Sequence, residues 1–321
     1  MYDVVTVGSA VLDVFVKSRS YKLLASKNFD GGVAICEPYE GKIEASEIEI
    51  VSGGGGTNNA VSFSRKGLRT AVIAEMGRDL AGKMVASELV REGVDTRHLV
   101  VEEGEETAIS VILVSGEGGR AIVTYRGASR MLTHKDIPWK QLHTRWLHIS
   151  SLGGRMGLLE ELVSFAKKQG IRVALNPGNG EIDLRERLLP LLPHVEVLLM
   201  NREEATRLTH IDFSDTKVFR SKACLVGPAT SVITAGELGG KVCGKGECFF
   251  YSGSKKPKVS SVGAGDAFGS GFVAGLILQK SLVEAASWGS RNAEGVLQFL
   301  SAKRGLLYRS QLEGKSPITR R

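Results

Sequence analysis

The chain has 321 residues, of which 42% are hydrophobic and 24% are charged, so its composition is that of a globular protein with a sizeable core. The formal net charge is +7, but lysine and arginine are scattered among acidic residues and form no basic block interleaved with aromatic residues. We therefore expect no nucleic-acid partner and no membrane partner, whereas an anionic small ligand is compatible with the charge.

Targeting signals and metal-ligand patterns are both absent from the sequence. The N-terminal residues YDVVTV read as a strand, no signal peptide is recognisable, and no apolar run reaches transmembrane length. The four cysteines, at 36, 224, 243 and 248, contain no CxxC pair, and the six histidines show no ligand spacing. We expect a cytoplasmic protein with reduced cysteines.

Apolar runs typical of buried strands alternate with helical patterns along the chain. The predicted strands are 3–7, 70–76, 146–150, 171–176, 195–201 and 231–235. The predicted helices are 58–66, 79–92, 158–169 and 285–300, and Gly170 follows the third as a capping glycine would. Strands that alternate with helices predict an α/β fold with a largely parallel sheet covered on both faces.

Two segments depart from this alternation. Residues 107–126 read as a strand, a glycine-rich turn at 116–119 and a second strand, which predicts a hairpin. Residues 14–50 contain no clear long helix, and apolar and polar residues partly alternate there. We predict that both segments form a small β-sheet that stands off the main body as a lid; the alternative is that they are extra edge strands of the main sheet.

The first glycine cluster, at 53–56, opens a predicted helix that begins with Asn58 and Asn59. Glycines let the backbone approach a polyol closely, and both amides can donate and accept hydrogen bonds. Upstream, Asp13 is predicted in the loop after the first strand, where a carboxylate can accept from two hydroxyls. The alternatives are a hinge before a capped helix and a solvated aspartate.

The second cluster, Gly263-Ala264-Gly265, leads directly into Asp266 and a further helix. Backbone amides at a helix start bind anions, and residues with little side chain leave them open to a phosphate. A carboxylate one step away can take a proton from an attacking hydroxyl. The alternative is a tight turn in which Asp266 caps the helix.

These segments, taken in order, resemble those of the PfkB, or ribokinase-like, family of carbohydrate and nucleoside kinases, over nearly the whole chain. The matching segments are GGGGTNNAVSFSRKG (53–67), MGRDLAG (76–82), GVDT (93–96), YRGASRMLTHKDI (125–137), MNREEA (200–205), VITAGELGG (232–240) and SSVGAGDAFGSGFVAG (260–275).

The resemblance implies a three-layer α/β/α sandwich with a mostly parallel central sheet and a small β-sheet lid. The kinase core comprises 1–13, 51–106 and 127–321, and the lid comprises 14–50 and 107–126. The lid would close over the sugar and exclude water. Lids in this family also mediate dimerisation, so a homodimer through the lid is a further expectation.

The resemblance also implies ATP-dependent phosphoryl transfer to a hydroxyl of a small sugar, as in ribokinases and fructokinases. Asp266 would be the general base, with Gly263, Ala264 and Gly265 as the anion hole. The sugar-binding positions would be Asp13, Gly54 and Asn58. The nucleotide and its Mg²⁺ would lie against Asn201, Glu204, Thr234, Gly236, Gly239 and Asn292, with Glu204 reaching Mg²⁺ through water.

Two other functions stay open from the sequence. A nucleoside kinase of the same family would need an apolar wall for the base, which Phe15, Ile35 and Tyr39 could supply. A degenerate member that binds sugar or nucleotide without transfer is suggested by neutral residues at acidic positions of the family: Ser260-Ser261 replaces Asp-Thr, and Asn176 replaces the acid of an Asp-Pro-Asn segment. The same replacements predict an altered magnesium dependence.

Overall fold

The computed structural model describes residues 1–29, 32–37, 39–116, 119–221, 227–254 and 256–313. Its centre is a nine-stranded sheet in the order β15-β14-β13-β12-β11-β10-β1-β6-β7. The strands from β13 to β7 run parallel, and β14 and β15 continue the sheet as an antiparallel edge. The element order β-α-β along the chain produces this topology, because a parallel pair needs a crossover connection.

The strands are β1 (Val4–Val7), β2 (Val11–Ser18), β3 (Lys22–Ala25), β4 (Val33–Cys36), β5 (Glu47–Gly53), β6 (Thr70–Gly77), β7 (Leu99–Glu102), β8 (Ala108–Ser115), β9 (Arg120–Tyr125), β10 (Trp146–Ile149), β11 (Arg172–Leu175), β12 (Val197–Asn201), β13 (Thr230–Thr234), β14 (Gly240–Gly244) and β15 (Glu247–Tyr251). The α-helices are α1 (Gly55–Arg65), α2 (Leu80–Arg91), α3 (Met156–Gln169), α4 (Asn179–Asp183), α5 (Arg185–Leu188), α6 (Arg202–Thr209), α7 (Thr216–Arg220), α8 (Ala264–Ile277), α9 (Leu282–Val296) and α10 (Arg309–Leu312). Short 3-10 helices occur at Gly127–Arg130, His134–Asp136, Leu189–His194 and Gly236–Leu238.

The large sheet is covered by helices on both faces. Alternate residues of its strands point to opposite faces, so that Val5 packs with α3 and α6 while its neighbour Val4 packs with α8. The predicted α/β fold with a mostly parallel central sheet is confirmed. The third predicted helix ends at Gly170 in the left-handed conformation, with φ of 66°, as the capping pattern requires.

A separate four-stranded sheet has the order β5-β2-β8-β9, and we call it the small sheet. Its β8 and β9 form the predicted antiparallel hairpin, although residues 117–118 of the turn lie outside the part of the chain that the structure describes. Strands β3 and β4 pair only with each other. The existence of a smaller second sheet is confirmed, whereas its role as a lid, its boundaries and a homodimer through it remain predictions.

Two local expectations are wrong. Asp13 lies within β2 of the small sheet, because β2 begins almost directly after β1 and leaves no room for a long loop. Cys243 and Cys248 form a disulfide, because the register of β14 and β15 places them directly opposite each other, with Cα atoms 4.2 Å apart. Cys36 is a free thiol, and Cys224 lies outside the described residues.

No helix in the described part of the chain is both long enough and apolar enough to cross a membrane.

The predicted late helix is α9, which begins and ends a few residues before the predicted 285–300. Its start is fixed by a capping box, in which Ser281 and Glu284 each accept a backbone N–H of the other.

A buried carboxylate anchors the loops that follow β10 and β11. Glu181, at 1% exposure, accepts from the Ser151 hydroxyl and from the backbone N–H groups of Leu152, Gly154 and Gly178, at 2.7–3.0 Å. These bonds satisfy the carboxylate and hold both loops at the edge of the sheet where the strands end.

Replacing this anchor should destabilise the fold. Glu181→Ala leaves buried N–H groups without partners, and we expect the free energy of unfolding to fall by about 3 kcal/mol, measured by urea denaturation. Glu186→Ala is the matched control, because the Glu186 side chain is 87% exposed and its loss should change stability by less than about 0.5 kcal/mol. Equal effects of the two substitutions would contradict the anchoring role.

Candidate active site

The carboxyl edge of the parallel strands brings the two predicted glycine clusters together. The helix that follows the first cluster, α1, contacts the helix that follows the second, α8, near their N-termini. Asn58 donates its Nδ2 to Asp266 Oδ2 at 2.9 Å, and Asn59 Nδ2 lies 3.4 Å from Asp266 Oδ1. Two motifs more than two hundred residues apart in sequence therefore meet at one carboxylate.

The Asp266 carboxylate is half-buried at the start of α8, as predicted from the sequence. Burial raises the pKa of Asp266, and the opposing effects come from the Asn58 and Asn59 amides and the charge of Lys303. A carboxylate with a raised pKa is a stronger base than an exposed one. The carboxylate can therefore accept a proton from a nearby hydroxyl.

Asp13 approaches the same site from the small sheet. It is 7% exposed and faces Gly53 so closely that any side chain at Gly53 would overlap its carboxylate. Burial raises the pKa of Asp13 to about 6, while Lys303 and a hydrogen bond from Ser110 act in the opposite direction and Asp266 adds to the rise. The backbone at Gly54 has φ of 91°, and a side chain there would overlap the Ser9 carbonyl, so a glycine is required.

A buried lysine, which the sequence motifs do not include, balances these carboxylates. Lys303 is 2% exposed and donates to the hydroxyls of Thr57, at 3.0 Å, and Ser52. Burial lowers its pKa to about 8, although Asp13 and Asp266 are among the carboxylates that oppose this change. Lys303 is therefore the positive charge enclosed within the site. It follows α9 in a segment without a recognisable motif, so only the fold reveals its position.

The loop before α8 has the form that an anion site requires. Gly263 adopts φ of 73°, and a side chain there would collide with Ala302, whereas the space around Gly265 is open. The Ala264 N–H lies 3.3 Å from the Ser261 carbonyl, a long hydrogen bond within the turn. Arg120 of the small sheet donates to the Ser261 hydroxyl at 2.8 Å. A cation from the small sheet thus reaches the loop where the sequence predicts a phosphate.

A cleft of about 710 Å³, including its open mouth, borders the loop before α8, and Ser261 of this loop is part of its lining. Its lining includes Thr234, Gly236 and Gly239 from the end of β13 and Ala264 and Gly265 from α8. The structure therefore brings these predicted nucleotide residues and the predicted anion loop into one cavity.

One wall of the cleft is apolar. The rings of Tyr251 and Phe268 stack on each other with centroids 5.1 Å apart and planes 16° apart, each residue is 4% exposed, and Ala293 and Leu297 extend this wall. Such an apolar wall suits the uncharged part of a ligand. No motif in the sequence marks these residues as a site, because an aromatic residue on a strand or helix is more often part of the core.

Comparison with known proteins decides the family. Residues 3–304 match the model of the pfkB family carbohydrate kinases. The chain belongs to this family. The enzyme class that the motifs indicate is thereby confirmed, since pfkB carbohydrate kinases are phosphotransferases that act on sugar hydroxyls.

Curated relatives and solved structures agree with this assignment. The ribokinase of Haemophilus influenzae is 30% identical over 288 residues, which cover 86% of this chain and 91% of that protein. The ribokinase of Arabidopsis thaliana, solved with ribose and ATP, has a TM-score of 0.75 at 21% identity, over 97% of each chain. A nucleoside kinase from Methanocaldococcus jannaschii has the same TM-score at 18% identity, over 97% of this chain and 96% of that chain. The ribokinase-like fold is confirmed.

Two predicted residues of this pfkB carbohydrate kinase lie beside the cleft and have local structural roles. Asn201 and Glu204 form a capping box at the start of α6: Asn201 Oδ1 accepts from Glu204 N at 2.9 Å, and Glu204 Oε2 accepts from Asn201 N at 2.8 Å. Asn201 is paired in register with Thr234 of the cleft. Burial raises the pKa of Glu204, which the Asn201 N–H opposes.

The structure places Asn292 away from the nucleotide cleft, contrary to the prediction. It is fully buried, accepts from Lys66 Nζ at 3.1 Å and donates to the Ala267 carbonyl at 2.7 Å. Its neighbours Ala293 and Glu294 line the cleft instead. The prediction fails because a position in a helical motif does not specify which face of the helix points to the ligand.

Substitution of Asn292 should therefore affect stability more than nucleotide use. Asn292→Ala leaves the buried Lys66 ammonium short of an acceptor, and we expect the free energy of unfolding to fall by about 3 kcal/mol in urea denaturation. At a temperature where the variant is folded, its KM for ATP should stay close to the wild-type value. The control, Ser290→Ala, removes a hydroxyl from the cleft lining and should leave stability within about 0.5 kcal/mol. A large rise in the KM for ATP with unchanged stability of Asn292→Ala would contradict the structural role.

Proposed function

We propose that this pfkB carbohydrate kinase transfers the γ-phosphoryl group of ATP to a hydroxyl of a small neutral sugar, as a ribokinase or fructokinase does. The observation that carries the proposal is the contact between Asn58 of the predicted sugar motif and Asp266 of the predicted transfer motif, at 2.9 Å. A hydroxyl bound at Asn58 lies next to both the base and the start of α8. The ribokinase relatives support the choice of a sugar.

In this proposal Asp266 is the general base. The acceptor hydroxyl donates its proton to the Asp266 carboxylate while its oxygen forms a bond to the γ-phosphorus. The bond from that phosphorus to the β–γ bridging oxygen breaks, and ADP leaves with the electron pair. The Asn58 and Asn59 amides hold the carboxylate in place.

Asp13, Gly54 and Asn58 would bind the sugar. The Asp13 carboxylate accepts from two neighbouring hydroxyls, and the bare backbone at Gly54 permits a close approach. Asp13, Asp266 and Lys303 interact electrostatically, which supports a polar pocket with one enclosed positive charge. An acceptor without negative charge, such as a neutral polyol, suits this site, because two carboxylates face one ammonium.

The transferring phosphoryl group would lie against the amides of Gly263, Ala264 and Gly265. The positive end of α8 and the Arg120 guanidinium would oppose the charge that develops there. Because Arg120 belongs to the small sheet, its charge would reach the phosphate only when that sheet is closed over the site. The nucleotide would occupy the cleft at Thr234, Gly236 and Gly239.

Magnesium would accompany ATP and neutralise the charge of its phosphates. The residues fit an outer-shell site: Glu204 commits Oε2 to the Asn201 N–H, which leaves Oε1 to accept from a magnesium-bound water. Ser260 and Asn176 supply neutral oxygens where the family has acids, and Asn176 already donates to the Leu199 carbonyl at 2.9 Å. We therefore propose that the nucleotide itself holds most of the magnesium coordination.

We favour a sugar over a nucleoside because two of the three residues predicted for a base wall are unsuited to it, which leaves the half-buried Ile35 of β4 alone. Phe15 is fully buried in the small-sheet core, and Tyr39 is 94% exposed. Neither offers a face to a base beside Asp13. A binding protein without transfer is disfavoured because Asp266, its two amide donors and the glycine loop are all present.

Removal of the base tests the transfer step. Asp266→Asn keeps the size of the side chain but cannot accept the proton, so kcat should fall by about 10²–10⁴. ADP release would be measured with a panel of pentoses, hexoses and nucleosides. Turnover with a sugar and none with nucleosides is expected. Sugar binding without turnover by the wild-type protein would support the binding-protein alternative and reject the kinase proposal.

Sugar binding should weaken in acid. The Asp13 pKa of about 6 means that, as the pH falls through that value, the carboxylate loses its charge and one acceptor site becomes an O–H donor. The measurement uses the Asp266→Asn variant, in which the general base can no longer titrate. We expect its sugar Kd to rise about tenfold per pH unit below a midpoint that lies at or slightly under pH 6. Calorimetry from pH 5 to 8 measures this. The doubly substituted Asp13→Asn, Asp266→Asn protein is the control, and the same acid limb in that control would refute the assignment to Asp13.

A further inference from the structure

A group of three carboxylates lies on the face of the large sheet opposite α1 and α8. Glu75 of β6, Glu102 of β7 and Asp136 each place a carboxylate oxygen within 4.8 Å of the other two. The register explains the convergence, because Gly77 of β6 pairs with Glu102 and alternate residues share a face, so Glu75 and Glu102 project together from neighbouring strand ends. Asp136 lies over them from the 3-10 helix that precedes β10.

The innermost of these carboxylates has no partner. Glu75 is 1% exposed, and neither of its oxygens accepts a hydrogen bond from any described residue. The Met131 N–H lies near enough to favour the charged form of Glu75, but its hydrogen bond is to the Ala128 carbonyl, at 2.9 Å. A buried carboxylate without donors is strongly disfavoured unless another group compensates its charge.

The charge of the nearby Arg155 supplies only part of that compensation. Arg155 directs its Nη groups to the backbone carbonyls of Arg130 and Ser129, the second at 2.8 Å, and makes no ion pair with Glu75 in the described structure. One guanidinium also leaves three carboxylates in excess by two negative charges. Asp136 Oδ2 accepts hydrogen bonds from the Thr133 N–H and hydroxyl, which leaves Oδ1 to bind a cation.

We infer that Glu75, Glu102 and Asp136 bind a hard divalent cation of the Mg²⁺, Mn²⁺ or Ca²⁺ class, at a site separate from the nucleotide cleft. Three carboxylate oxygens converging on one point, with water completing the shell, form the ligand set that such cations prefer. The inference does not depend on the kinase proposal.

The position of the site gives the cation a structural role. Glu102 ends β7 directly before the connection that leads into β8 of the small sheet. Asp136 follows the connection that returns from β9 to the large sheet. A cation held by both residues and by Glu75 would fasten the two connections between the sheets to one strand, β6, and would restrict the movement of the small sheet.

Binding of Mn²⁺ to the full chain without nucleotide or sugar tests the site. Electron paramagnetic resonance of free Mn²⁺ should show one bound ion per chain, and Glu75→Gln and Glu102→Gln should each weaken binding by at least about tenfold. Glu103→Gln is the matched control, since its side chain is 71% exposed and adjacent to Glu102, and it should stay within about twofold of wild type. Glu204→Gln should also leave this binding unchanged, because Glu204 lies on α6 and is not one of the three converging carboxylates.

The outcomes are decisive in either direction. Displacement of Mn²⁺ by Ca²⁺ or Mg²⁺ supports the hard-cation class, and displacement by neither overturns it. Absence of binding up to about 1 mM Mn²⁺, or equal effects of Glu75→Gln and Glu103→Gln, overturns the site. Thermal unfolding provides a second measurement: without metal Glu75→Gln should be at least as stable as wild type, and saturating Mn²⁺ should stabilise only wild type. Should Glu75→Gln fail to fold, Glu102→Gln, which lies nearer the surface, decides the result.

Discussion

The hydrogen bonds from Asn58 and Asn59 to Asp266 are the contact on which the site depends. They join the start of α1 to the start of α8, two helices that leave the same edge of the parallel sheet. An aspartate at this position has to be partly dehydrated to act as a base, yet it also has to be held in one orientation. The two amides meet both requirements, because they replace water as donors without supplying a full charge.

A second constraint is electrostatic and follows from the first. Two carboxylates enclosed in one pocket repel each other, and burial disfavours the charge of each. The Lys303 ammonium, anchored on Thr57 and Ser52, opposes both effects in part, although the pKa of each carboxyl stays raised. Burial also lowers the pKa of Lys303, to about 8. Because the three charges interact, a substitution at one of these residues changes the pKa of the other two.

The sequence predicts the fold class from short-range patterns, the alternation of strands and helices, whereas only the family resemblance implies that the two glycine clusters belong to one site. It does not predict Lys303 or Arg120, since neither lies in a motif and both reach the site only through tertiary packing. Asn292 is misplaced for a related reason, because the direction in which a helix face points is set by its neighbours. From the sequence, Asp13 fits either a loop after β1 or a following strand. Only the pairing of β2 with β5 and β8 shows that it belongs to a strand.

The location of Asp13 on β2 has a consequence for how such an enzyme diversifies. The residue proposed to recognise the acceptor belongs to the small sheet, whereas the residues proposed for the transfer lie at the start of α8. A change at Asp13 can therefore alter the acceptor contacts while the start of α8 is retained. The division is not complete, because Asn58 of α1 also belongs to the proposed acceptor site and Arg120 of the small sheet reaches the loop before α8.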